Sequence, residues 1–109
     1  MFAFEIPGQR FSLPAGADIE RCRFVSADAN SNGVTATAST PIIGVSMNKA
    51  ASGQVLEIAD GIVMVEAGGA VTAGAKVASN ATGQAVTGDG IAVALTSATA
   101  AGEIITVKL

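Results

Sequence analysis

The chain has 109 residues and a formal charge of −3, from six basic and nine acidic side chains, with no histidine, tryptophan or tyrosine. That length gives one domain, which buries about two thirds of its unfolded surface and so needs neither disulfides nor metal to fold. An acidic chain with scattered lysines and arginines is not a nucleic-acid reader, which needs a clustered basic face, and without histidine the usual base of Ser-His or Cys-His catalysis is missing.

Residues 1–29 hold seven of the fifteen charged side chains, all four phenylalanines and two of the three prolines. Phe2, Phe4, Ile6, Phe11 and Leu13 alternate as an extended segment with one apolar face requires. Pro7 and Pro14 discourage ordinary ladder pairing, so residues 1–14 read as an N-terminal arm and residues 15–109 as a single β domain. Asp18 to Arg23 fits one helical turn or a charged strand edge equally well. Asn32-Gly33 is a hairpin signal. Pro41 opens a strand running through Ile42 to Val45, and Val55 to Ile58 forms another. Asp60-Gly61 reads as a tight turn into Ile62 to Val65, a run apolar on both faces and therefore central. Gly68-Gly69 breaks that run, Val71 to Val77 resumes it, and Gly88-Asp89-Gly90 turns the chain. Ile91 to Leu95 and Glu103 to Leu109 close the domain, with a loop or one helical turn over residues 96–101.

The text is also written twice. Ala15-Gly16-Ala17, Phe24-Val25-Ser26, Asn32-Gly33-Val34, Gly44-Val45-Ser46-Met47 and Ala51 to Ile58 reappear in the same order. Their second versions are Ala73-Gly74-Ala75, Lys76 to Ser79, Asn80 to Gly83, Ala92 to Leu95 and Ala101 to Val107. The expected architecture is all-β: a small barrel or β-tulip-like module with a weak internal duplication, about 15–59 and 73–109, and an extended N-terminal arm.

Half of the residues are hydrophobic but only 4% are aromatic, so the core is assembled from Val, Ile, Leu, Ala and Met. Thin cores of this kind gain stability from partner subunits. The lone Cys22 excludes an internal disulfide and suits a reducing compartment. No charged n-region precedes an apolar run, so no secretory signal is expected, and Asn80-Ala81-Thr82 reads as a turn rather than a glycosylation acceptor. No run has the length of a membrane span, and no membrane partner is expected.

Chemistry is sparse. Arg21 and Arg23 flank Cys22 and lower a thiol pKa, but no partner base accompanies it, and a structural cysteine is the simpler reading. Asp89 offers a single carboxylate where a calcium loop needs several. The glycines match neither phosphate-binding fingerprint. No enzyme activity, cofactor or metal is expected.

Met47-Asn48-Lys49-Ala50, followed by Gly61 to Gly69 and Val71-Thr72-Ala73-Gly74, is similar to the lipoyl and biotinyl carrier domains. That resemblance implies a lysine modified at a hairpin tip, here Lys49. Asn48 stands where the carriers have an acidic residue or methionine, and the bland reading is a solvated loop lysine.

A longer resemblance runs from Leu13 to Leu109. Ile42-Ile43-Gly44-Val45-Ser46, Ala50 to Val55, Gly61-Ile62-Val63, Val71 to Val77, Ile91 to Leu95 and Gly102 to Val107 follow one another in the order and spacing of a known family. In this respect the chain resembles the capsid decoration, or cement, proteins of tailed bacteriophages. The resemblance implies a β module, often a homotrimer, that docks on the outer surface of a capsid through the major capsid protein and stabilises the shell. It implies localisation in the virion after synthesis in the host cytoplasm. The arm residues Phe2, Phe4, Ile6, Phe11 and Leu13 are the expected capsid or subunit contacts. A tail-fibre or adhesin module is the competing structural reading, disfavoured because sugar-binding surfaces stack on exposed Trp or Tyr and this chain has neither.

Overall fold

The computed structural model describes residues 3–109, which form nine β-strands and no helix. They are β1 (Ile6–Pro14), β2 (Phe24–Ala27), β3 (Gly33–Thr35), β4 (Gly44–Ser46), β5 (Val55–Glu66), β6 (Lys76–Ser79), β7 (Ala85–Thr87), β8 (Ala92–Ala94) and β9 (Ile104–Lys108). All pair antiparallel in one sheet of order β3-β2-β4-β5-β9-β8-β6-β7, with β1 lying off this path on β5. The sheet curls into a half-barrel.

Several local expectations are corrected. Asp60-Gly61 is no turn, because β5 runs through it as one 12-residue strand. Glycine is needed there for a different reason: Gly61 has φ +88, and a Cβ would lie 2.5 Å from the Gly8 backbone nitrogen. Opposite it β1 carries a bulge between Pro7 and Arg10, where two residues face Asp60 alone, and Gln9 N–H donates to Asp60 Oδ1 at 2.8 Å. The extra residue thus finds a side-chain acceptor in place of a ladder partner. Pro7 and Pro14 both sit within β1 and pair with Gly61 and Val55. Asn32-Gly33 is the end of a turn, not its centre: Asp28 accepts from Asn30 and Asn32 N–H, both at 2.9 Å, and Ser31 takes the left-handed conformation at φ 62. Asp18 to Arg23 is neither helix nor strand. It contributes one bridge, Ile19 to Ala50. Residues 96–101 are loop with a matching bridge, Val71 to Ala98.

The duplication is written into the strand registers. Val25, Ser26 and Ala27 face Thr35, Val34 and Gly33, as Val77, Ala78 and Ser79 face Thr87, Val86 and Ala85. Phe24 faces Val45 as Lys76 faces Val93, and Val45 faces Ala59 as Val93 faces Lys108. The parallel bridge Ala15–Gly33 returns as Ala67–Ala85, so the counterpart of Ala15 is Ala67. The equivalence reaches β1 as well: Arg10 to Pro14 pair with Ala59 to Val55 in the register by which Ile62 to Glu66 pair with Lys108 to Ile104. Each repeat is therefore a sheet of five strands, and β5 belongs to both, closing the first and opening the second.

That shared strand decides where the core lies. Successive side chains of a strand point to opposite faces, so Ala59, Val63 and Val65 line the concave side of the sheet. They are buried there with Phe24, Val45, Val77, Ala92, Ile105 and Val107. The opposite face of the first repeat, with Val25, Leu56 and Ile58, is covered by Ala15, Ile19 and Ala50 in a second cluster that Leu13 and Ile43 join. Val71 and Ala98, the counterparts of Ile19 and Ala50, lie instead in the concave cluster. The same covering segment faces outward in one repeat and inward in the other, because continuing one strand through both repeats turns the second one over.

Candidate docking surface

Among the described residues, the second repeat's outer face has no covering segment equivalent to Ile19 and Ala50, and only the N-terminal residues cross part of it. Direct partners in an antiparallel ladder project on the same side, so Lys76, Val93, Lys108, Ile62 and Ile6 form one row across five strands. In the first repeat the three counterparts Phe24, Val45 and Ala59 are all fully buried. Here Lys76 and Lys108 are exposed, and Val93 and Ile6 are 37% and 62% exposed. Ile104, four residues before Lys108 on β9, adds further exposed apolar area. Neither lysine has an ion-pair partner among the described residues. Glu66, on the outward side of β5, is taken by Arg23 at 2.8 Å and by Gln84 Nε2 at 2.6 Å.

The N-terminal segment crosses part of this face. Phe4 N–H donates to Thr106 Oγ1 at 2.6 Å, and that hydroxyl donates to the Phe4 carbonyl at 2.7 Å. This contact explains how Thr106 is fully buried on the outward side of β9. Of the sequence-predicted contact residues, Phe2 lies outside the described residues. Phe4 and Ile6 are brought to the bare face. Phe11 and Leu13 lie on the same outward side of the sheet but over the first repeat, with their partners Ile58 and Leu56, where Leu13 packs against the second cluster and Phe11 stays 37% exposed. Sequence reasoning missed Lys76, Val93 and Lys108, whose common row depends on pairings between strands far apart in the chain.

The remaining candidates acquire no chemistry. Cys22 is buried, and burial pushes its thiol pKa up against the opposing pull of Arg21. It also has φ 62 where the second repeat has Gly74 at φ 91. Lys49 lies in the β4–β5 connection with Nζ 3.6 Å from Glu20, and is no hairpin tip. A groove of about 340 Å³ runs between residues 37–42 and 89–91 and has Asp89 as its single ionisable lining group. A neighbouring groove has only Asp60. Among the described residues no three His, Cys, Asp or Glu side chains gather as a metal site, and no helix is long and apolar enough to cross a membrane.

This geometry offers surface rather than a reacting centre, and the comparisons point the same way. The N base of the head fiber gp8.5 of bacteriophage phi29 is similar in fold, with a TM-score of 0.74 over 91% of each chain at 17% sequence identity. No curated protein matches the sequence. The phage cement protein family matches residues 7–109. The chain belongs to the phage cement proteins, a family of capsid-associated structural components of the virion.

Proposed function

We propose that this chain is a non-enzymatic cement protein that binds the outer surface of a tailed-phage capsid, contacts the major capsid protein and stabilises the shell. The family match over nearly the whole chain carries this reading. The bare outer face of the second repeat supports it, because a protein that works by attachment needs exposed complementary area and no pocket. We further propose that it acts as a homotrimer, made in the host cytoplasm and carried in the virion, a state that suits three-fold positions of a shell. Residues 1–14 serve as a docking arm on the body formed by 15–109, with Phe4, Ile6 and Phe11 as its contacts.

Purified chain is mixed with expanded capsids lacking it and sedimented. Co-sedimentation at saturable stoichiometry, with a rise in the temperature at which capsids release DNA, is the expected result. Failure of the chain to sediment with capsids overturns the reading. Native mass spectrometry of the bound and free chain decides the trimer.

A further inference from the structure

We propose that the outer face of the second repeat, centred on the row Lys76–Val93–Lys108, is the surface that meets the shell, and that its partner is a carboxylate-bearing, partly apolar patch of the assembled capsid. The inference rests on the cement reading and adds which face docks and what it recognises.

Three observations converge on it. The duplication supplies a built-in comparison: the same row in the first repeat, Phe24–Val45–Ala59, is fully buried against the second repeat. A sheet face of this shape is thus already used once in the molecule as a packing surface. At the second occurrence, phenylalanine and alanine are replaced by Lys76 and Lys108 while the central valine is kept as Val93. Central apolar area flanked by charge is how a face that must stay soluble alone and then dock is composed.

The internal joint also shows the polar half of such a contact. Beside the buried row, Arg23 at the edge of the first repeat meets Glu66 of the second at 2.8 Å, and Phe24 N–H donates to the Gly83 carbonyl at 2.8 Å. On the bare face the outward carboxylate of β5, Glu66, is already held by Arg23 and Gln84, and the lysines are left without one. Lys76 and Lys108 have no ion-pair partner among the described residues, so an acidic partner satisfies them without displacing an existing contact. Charge also argues against a second molecule of this chain in a two-fold pairing of this face with itself. Such a contact is isologous and sets the same lysines near one another.

The test compares four proteins for binding to expanded capsids: wild type, the double variant Lys76→Glu/Lys108→Glu, its neutral counterpart Lys76→Gln/Lys108→Gln, and Lys49→Glu as a control on the exposed β4–β5 connection. Thermal melting is followed alongside. Because both lysines are exposed, the double variant keeps its melting temperature and loses capsid affinity by about tenfold or more, while Lys49→Glu binds as wild type does. The neutral pair Lys76→Gln/Lys108→Gln falls between them, which separates charge recognition from any folding defect of the reversal. Equal binding by wild type and the double variant overturns the assignment of this face and leaves the cement function standing. A double variant that binds capsids normally but changes subunit number in native mass spectrometry also overturns it, placing the face between molecules of this chain. Wild-type protein that ignores capsids removes the cement reading and this inference with it.

Discussion

Arg23 and Glu66 pin the two repeats together: Arg23 Nη2 donates to Glu66 Oε2 at 2.8 Å, while Nη1 reaches the Thr82 carbonyl at 3.2 Å. Both side chains are mostly covered, so solvent screens the pair less than a surface bridge. In a double-mutant cycle of Arg23→Ala and Glu66→Ala by chemical denaturation, the coupling is about 1 kcal/mol. Arg23→Ala alone costs more than the coupling, since it also frees the Thr82 carbonyl and removes packing.

Ser31 and Gly83 hold the same left-handed position in the two hairpins, at φ 62 and φ 77. The serine has a strained backbone on an exposed tip, and glycine relieves that strain at some cost in unfolded-chain entropy. Ser31→Gly accordingly raises stability by about 0.5 kcal/mol, read as a higher melting temperature. Gly83→Ala does the opposite and loses about 2 kcal/mol or more. Beyond the unfavourable φ, its Cβ lies 2.7 Å from Thr35 Cγ2 and 3.0 Å from the Phe24 carbonyl oxygen.

Acid acts on one hairpin and not the other. Asp28 accepts backbone N–H donors from Asn32 and Asn30, which hold its carboxyl below the ordinary carboxylate range. Asn80 does the same work in the second hairpin, accepting from Thr82 and Gln84 N–H at 2.9 and 3.0 Å without titrating. A carboxylate with a depressed folded-state pKa contributes stability that is complete above its unfolded pKa and disappears as pH falls through the folded one. Glu103, lowered by the Thr99 hydroxyl and amide, adds a loss of the same sign. Melting temperature is therefore level near neutrality and falls below the normal carboxylate range. Asp28→Asn reproduces the Asn80 turn and makes that acid fall shallower. An unchanged acid slope refutes the assignment.

The N-terminal side chains separate by role. Phe4→Ser, Ile6→Ser and Phe11→Ser remove exposed area and leave the melting temperature within a few degrees of wild type while lowering retention on capsids. Leu13→Ala, by contrast, thins the second cluster and costs about 1–2 kcal/mol of stability. If the three serine variants melt early and bind normally, these residues belong to the body rather than to a docking arm.

That the chain is all-β and written twice was legible in the residues alone. Strand alternation, glycine and proline placement and residue counts are local properties, legible one segment at a time. The order of the recurring segments also carried the resemblance to cement proteins. What the sequence could not specify was set by pairings between distant residues. Asp60-Gly61 has the composition of a turn, yet the ladder to β1, β4 and β9 holds it extended, because those interstrand hydrogen bonds outweigh a local preference. Aligning Ala15 with Ala73 by composition misses Ala67, which the bridge to Ala85 identifies. Above all, Lys76, Val93 and Lys108 are three unremarkable residues along the chain. They become one surface only when β6, β8 and β9 pair, and that surface stays bare because β5 continues unbroken from the first repeat and turns the second one inside out.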